Sequence, residues 1–412
     1  MIEWLSVIKN IKKVILRNPP LILLSLVLLV LPFLDGGTSH SAKLILLSLP
    51  LPLFLLSLAF RKIRIKIDTL FYLSLLFLIS AFISLFFSVS LSLSLPSFAL
   101  LLSLFIIFHL ARAIITSKED LRLIFGVILI AGLGLSLLSL WYLLPFTVKP
   151  IGSLNLVFIR YGHNHLAEYL PFVLFPSLFL FLKGKKKEKL IFGILTLFFF
   201  VVLILTFSRT SLLFLPLTIG LILYKQGLVV KKKIKFLFSL LIILPLLFLL
   251  GILIFSHTGF GYQVASEGNR DYFLNSIAKP LVFEKRIVYW QQAWQGFLER
   301  PFLGWGLGTF RFVSLRFRDL PIHYSNFTHN FYLQVLVETG IFGFLLCLGF
   351  LFTALKKSFL LVVKRKDPLL IGIFWALVFS CLQSVLDFGW HFLAITLIFL
   401  ILLGALTNEK IK

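Results

Sequence analysis

Acidic residues, cysteine and a cleavable leader are all in short supply, and each shortage removes a class of explanation. Asp and Glu number 16 against 40 Lys and Arg. A magnesium-type site wants several carboxylates. No Asp-x-Asp or carboxylate pair accompanies the His-x-His formed by His163 and His165, so no metal centre is expected. The two cysteines, Cys347 and Cys381, stand inside apolar runs without metal-ligand spacing, and they read as core thiols. The first apolar run, Val14 to Leu34, is too long for a signal-peptide core and lacks a small-residue cleavage site, so it reads as a membrane span. No internal repeat is visible, and with it goes the inverted-repeat mark of many transporters.

What the chain has in excess is apolar surface. Hydrophobic residues make up 59% of its 412 positions and the mean hydropathy is +1.04, more than a water-soluble domain could carry. The solvent for most of the chain is therefore lipid. The apolar runs are about 17 to 25 residues long and do not alternate, so helices satisfy the backbone and a barrel is excluded. The spacing predicts an all-α, polytopic integral membrane bundle with spans near 14–34, 43–60, 68–88, 97–116, 120–143, 164–182, 190–206, 209–224, 236–255, 329–355, 368–386 and 390–407. These twelve would form one transmembrane domain over residues 1–412.

A formal net charge of +24 would suggest nucleic acid in a soluble protein. Here the cations sit in short clusters between apolar runs, which is the positive-inside pattern, and no nucleic-acid partner is expected. With the N-terminus inside, the basic loops at 61–64, 183–189, 231–235 and 364–366 all fall on one side. Both termini are then cytoplasmic. Twelve of the 40 Lys and Arg fall on the other side, and eight of those lie in one long outer segment, residues 256–328. Seven of the eight histidines, all but His109, share that outer side with Arg160, Arg209 and Asp387. Loops that merely join spans are a few residues long and need no such groups. The chemistry is expected outside.

The long segment is not a plain linker. From Arg286 it reads Arg-Ile-Val-Tyr-Trp-Gln-Gln-Ala-Trp-Gln-Gly-Phe-Leu, with apolar and aromatic positions at helical spacing, and predicts an amphipathic helix at the membrane interface. Pro301 and three glycines in Pro301 to Phe310 then break the helix and predict a tight, close-packed turn.

Four outer clusters carry the polar chemistry: Arg160-Tyr-Gly-His163-Asn-His165, Thr206-Phe-Ser-Arg209-Thr-Ser, Arg286 with Trp290, and Thr328-His329-Asn330. Singly, each reads as readily as an interfacial anchor or a snorkelling cation; together they suggest a site. Guanidinium binds phosphate bidentately and stays charged, so Arg160, Arg209 and Arg286 could hold a diphosphate without a metal. Along the next span Asn330, Gln334 and Glu338 recur every fourth residue, a polar stripe that is costly in lipid unless it faces a cavity or partners. A hydrogen-bonded structural seam accounts equally well for Gln334 and Glu338. His329, at the outer mouth where its pKa could lie near neutrality, is the candidate general base.

These segments resemble the O-antigen ligase family, the membrane glycosyltransferases grouped with O-antigen polymerases and bacterial O-oligosaccharyltransferases. The resemblance is carried by Gly162-His-Asn-His-Leu-Ala167, Ser208-Arg209, Arg286 to Trp290, Gly304-Trp-Gly-Leu-Gly-Thr-Phe310, and His329-Asn330 through Glu338-Thr-Gly340-Ile-Phe-Gly343. It covers roughly residues 160–343. The resemblance implies transfer of a glycan from undecaprenyl diphosphate at the periplasmic face of the bacterial inner membrane, inverting and without metal or other cofactor. His329 would activate the acceptor hydroxyl. Arg209 and Arg286, with Arg160, would hold the lipid diphosphate, and His163, His165, Trp290, Asn330 and Glu338 would line the substrate site. The chain's length and the lack of a soluble C-terminal domain suit a ligase that uses lipid A-core as acceptor. A polymerase of the same family is the nearest alternative, and a lipid-linked glycan flippase or transporter the alternative from another class.

Overall fold

In the computed structural model, residues 18–60, 65–143, 163–184, 186–226 and 283–411 are described, with most of 239–251. The described residues are helical with no strand. The helices in chain order are α1 (Pro19–Val30), α2 (His40–Ala59), α3 (Thr69–Leu85), α4 (Leu91–Ile114), α5 (Lys118–Leu143), α6 (Asn164–Lys183), α7 (Lys186–Leu205), α8 (Arg209–Gln226), α9 (Phe283–Glu299), α10 (Phe310–Phe317), α11 (Phe331–Arg365), α12 (Pro368–Gln383) and α13 (Leu393–Leu406).

Six of them are long and apolar enough to cross a membrane: α2, α4, α5, α6, α7 and α11. Five shorter apolar helices accompany them at α1, α3, α8, α12 and α13. Helices thus stand at eleven of the twelve expected positions, and the described residues of the expected span at 236–255, most of 239–251, are helical as well. Among the described residues the first helix starts at Pro19, with Pro19 and Pro20 at its first positions, where a missing N–H costs nothing; residues 14–17 of the expected span lie outside them.

Large apolar side chains such as Leu51, Leu55, Tyr72, Ile79, Phe82, Ile130, Leu197 and Phe352 are exposed on the outside of the bundle, a surface that lipid tolerates and water would not. Hydroxyls within the helices are satisfied locally. Ser57, Ser74, Ser136 and Ser358 each donate to the carbonyl four residues back, at 2.6 to 2.8 Å. The helix α6 is the innermost, almost wholly buried between α5, α7 and α12. A side chain at Gly372 of α12 would meet the backbone of Pro176, so glycine there permits the close α6 and α12 approach.

The two ends of the bundle differ in chemistry. At one end buried or half-buried ion pairs tie the helices together. Asp68, the N-cap of α3, accepts from Arg112 of α4 at 2.7 Å and from Lys357 of α11 at 2.8 Å. Nearby, Lys118 pairs with Asp367 at 3.0 Å, and Asn408 donates to the carbonyls of Arg112 and Ile115. The other end gathers the outer clusters.

The segment from Phe283 to Phe317 is helix, turn, helix. Its buried face on α9, Tyr289, Ala293 and Gly296, packs with Trp305, Phe310, Val313 and Val337 into a small core of its own, while Ile287, Trp294 and Leu298 remain exposed. Amphipathicity is therefore real, and one face is spent on protein contact.

Candidate active site

The glycine-rich turn is built around a break in α11. Gly340 sits at φ +68° inside that helix, so the carbonyls of Val337 and Glu338 lose their helical partners and turn outward. Trp305 N–H donates to the first at 3.0 Å and Gly306 N–H to the second at 2.9 Å, while Ile341 N–H returns to Pro301 at 2.8 Å. Gly304, Gly306 and Gly308 all have positive φ, which is why glycine recurs at this spacing. The Glu338 carboxylate completes the clamp. It accepts from Gly308 N–H at 2.8 Å, Phe310 N–H at 3.2 Å and Gln334 Nε2 at 2.6 Å. Glu338, expected among the substrate-binding residues, has its oxygens taken by two backbone amides and Gln334, and it anchors the turn.

Asn330 likewise has a structural partner. Its side chain caps α11, accepting from Leu333 N–H at 3.0 Å. That cap positions the preceding residue. Thr328 Oγ1 donates to the Asn330 carbonyl at 2.6 Å, Thr328 N–H donates to Gln334 Oε1 at 2.9 Å, and His329 between them is forced into left-handed backbone at φ +54°. A residue of this kind in that conformation is held there by its surroundings.

The His329 ring lies between Tyr289, stacked at 5.8 Å, and Phe388, met edge-on at 4.6 Å. Nδ1 is buried with no hydrogen-bond partner among the described residues. Burial, and then the charges of Arg286, His165 and His391, push its pKa down to about 3. The expected near-neutral value is corrected: in the unliganded protein the imidazole is neutral throughout the physiological range.

Arg286 of α9 donates to the Leu386 carbonyl, approaches Thr210 Oγ1 at 3.5 Å and faces the fully buried Asp387 at 4.0 Å. Thr210 follows Arg209, and Arg209 feels the charge of Arg286. Phe207 at φ +54° makes the turn before α8 sharp enough to place Arg209 at the helix's first position, beside that neighbour. Two arginines at one bundle end repel each other, and a polyanion would relieve this.

His165 is buried in α6. Its Nδ1 lies 3.2 Å from Glu168 Oε2, and its ring lies against Phe392. Trp290 is half-buried with Nε1 unpartnered among the described residues. Arg160 and the His163 side chain lie outside the described residues.

The fold brings three further groups here, of which the sequence placed Asp387 and His391 on the outer side without giving them a role, and did not single out Glu168. Glu168, Asp387 and His391 are in or beside the same cluster. Burial, then Glu168, raise the Asp387 carboxyl to about 6 against the opposing pull of Arg286, while burial lowers His391 to about 4. The available signal was the Asp387-Phe-Gly-Trp-His391 run, polar residues between two spans with no loop to justify them. Among the described residues, no three His, Cys, Asp or Glu are arranged to hold a metal ion.

Next to this cluster a cavity of about 310 Å³ runs into the bundle between α3, α4, α11 and α13. Its lining is mostly Leu and Phe, with Gly308, Gln334, Glu338 and His391 among the few polar contributors. That volume is at the small end of ligand pockets.

Apolar helices and a polar cluster confined to one end define a polytopic membrane protein with a site at the bundle mouth. Residues 194–348 match the family model described as O-antigen ligase. The match takes in Arg209, Arg286, His329 and the glycine-rich turn. No curated protein matches the chain.

Proposed function

We propose that this protein is an O-antigen ligase of the bacterial inner membrane, transferring a glycan from undecaprenyl diphosphate to lipid A-core at the periplasmic face. The observation that carries the reading is the meeting of Arg209, Arg286 and His329 at one end of a lipid-embedded bundle, inside the family-matched stretch. In the proposed reaction an acceptor hydroxyl oxygen attacks the anomeric carbon, the bond to the diphosphate oxygen breaks, and the configuration inverts. His329 takes the hydroxyl proton. Arg209 and Arg286, with Arg160, hold the departing diphosphate, whose charge grows as the bond breaks. His163, His165 and Trp290 remain proposed contacts of donor or acceptor.

The low pKa of His329 suits this scheme only with donor bound. A diphosphate against Arg286 offsets one of the charges that add to burial in depressing the imidazole, so its basicity rises as the complex forms. Twelve spans with both termini cytoplasmic place the 256–328 segment on the periplasmic side, and the ion-paired end around Asp68 on the cytoplasmic side.

The test is reconstitution with an undecaprenyl-diphosphate glycan and either lipid A-core or a second donor molecule as acceptor. Product on lipid A-core supports the ligase reading. Elongated donor instead makes the protein a polymerase, and movement of intact donor between leaflets makes it a transporter.

A further inference from the structure

The strap joining α12 to α13, residues 386–391, touches both working groups of the site. Its Leu386 carbonyl and Asp387 carboxylate face Arg286, and its Phe388 ring meets His329 edge-on at 4.6 Å. Regular structure does little to hold it, for it contains a single 3₁₀ turn, Gly389–His391. Its far side rests on Glu168, a buried carboxylate of α6 that accepts the Gly389 N–H and lies 3.2 Å from His165 Nδ1. A methyl group at Gly389 would fall on that carboxylate, so glycine is required by the close approach itself. Burying a carboxylate costs several kcal/mol unless partners compensate. Here the partners are one backbone amide of the strap, His165 Nδ1 and the nearby Arg286 charge, and the amide ties Glu168 to the strap's position.

We propose that Glu168 is a positioning residue: it fixes the Gly389 peptide and thereby sets the strap on which Arg286 and His329 rest. The proposal depends on the glycan-transfer reading for its consequence in turnover. Its structural half, the pinning of the strap, does not. Glu168 and the strap both lie outside the family-matched stretch 194–348, so the device belongs to the part of the chain that the family match leaves undescribed.

The experiment uses the full chain in lipid nanodiscs as wild type, Glu168→Gln, Glu168→Ala, Gly389→Ala and the Glu168→Ala, Gly389→Ala pair. Amide exchange over 386–391 is read without substrate, and transfer is read as kcat and KM per folded molecule. Gln keeps a carbonyl acceptor for Gly389 and should stay within about fivefold of wild type with normal exchange. Glu168→Ala should speed exchange of the strap and lower kcat about 10- to 100-fold, since a displacement near 1 Å at a reacting group costs that much. Gly389→Ala should do the same, and the pair should be no worse than either single change, because both break one contact. Normal exchange in Glu168→Ala would overturn the pinning. Fast exchange with wild-type kcat would overturn the role in catalysis. A Gln variant as inactive as Ala, with normal exchange, would overturn positioning in favour of a direct need for the charge. If wild-type protein transfers nothing, the transfer reading fails, and exchange alone decides whether Glu168 holds the strap.

Discussion

Glu338 Oε2 accepts the Gly308 N–H at 2.8 Å, so the deepest acidic group of the α11 stripe is spent on holding a turn. Its other oxygen takes Phe310 N–H and Gln334 Nε2. Glu338→Ala leaves two buried N–H groups without acceptors, at about 1–3 kcal/mol each, and should lower folded yield sharply. Glu338→Gln keeps one acceptor oxygen and should recover most of the yield. Thermal unfolding of the purified variants, set beside transfer per folded molecule, checks this. A Gln variant with normal stability and no transfer would return Glu338 to the chemistry.

The bundle was legible in the sequence because lipid imposes one rule, internal satisfaction of every backbone group, and long apolar runs state it directly. Arg209, Arg286 and His329 stood out as candidates because charge and imidazole at one face of such a bundle have few structural uses. Structural partners of Glu338 and Asn330 were hidden in the sequence for a common reason. Among their partners are backbone amides, those of Gly308 and Phe310 in the turn and of Leu333 at the start of α11, and backbone partners leave no mark in the side-chain pattern. Asp387 and His391 were placed on the outer side but given no role, and Glu168 was not singled out, because their meaning comes from proximity between α6 and the strap, far apart in sequence.

The Asp68 cluster should govern stability and leave chemistry alone. Burial would raise the Asp68 pKa, but Arg112 and Lys357 outweigh it and hold the carboxylate well below its ordinary value. A lowered folded pKa means its stabilisation is present above the unfolded value and is lost as pH falls toward the folded one. Asp68→Ala strands the Arg112 side chain, only 4% exposed, and should cost about 3–5 kcal/mol. Stability measurements at pH 7 should show this loss with turnover per folded molecule unchanged. Loss of turnover with stability intact would contradict it.

Sidedness follows from the proposed topology. A cysteine placed at the exposed Arg318, on a background lacking Cys347 and Cys381, should react with an impermeant maleimide from outside, and one at the exposed Lys186 should not. The reverse labelling would invert the protein and move the site to the cytoplasmic face.

For the diphosphate, the informative change is Arg286→Lys or Arg209→Lys, which keeps charge and loses the two-pronged donor. Donor KM should rise about tenfold or more, and EDTA should leave wild-type transfer intact. Equal donor use by the Lys variants would mean plain charge suffices. Loss of transfer in EDTA, restored by magnesium, would replace the arginine scheme with a metal-bound one.

His329 is where the proposed mechanism is most exposed to test. The imidazole is fixed by left-handed backbone, by the Asn330 cap and by Tyr289 and Phe388, so truncation to alanine removes the ring without removing a hydrogen bond that the fold depends on among the described residues. His329→Ala should fold, and should lose transfer by about 10²- to 10⁴-fold, the usual contribution of a general base. The pH profile supplies the second reading. In free protein the pKa of about 3 puts protonation far below the working range, so kcat/KM should show no acid limb from His329 between about pH 5 and 8. With donor bound, the diphosphate offsets Arg286 and the limb should move upward, appearing in kcat at higher pH than in kcat/KM. A purified His329→Ala protein that transfers at the wild-type rate would end the assignment and pass the role to His165 or His163. A kcat/KM limb at 6.5 that vanishes in His329→Gln would keep the base and discard burial as what controls it.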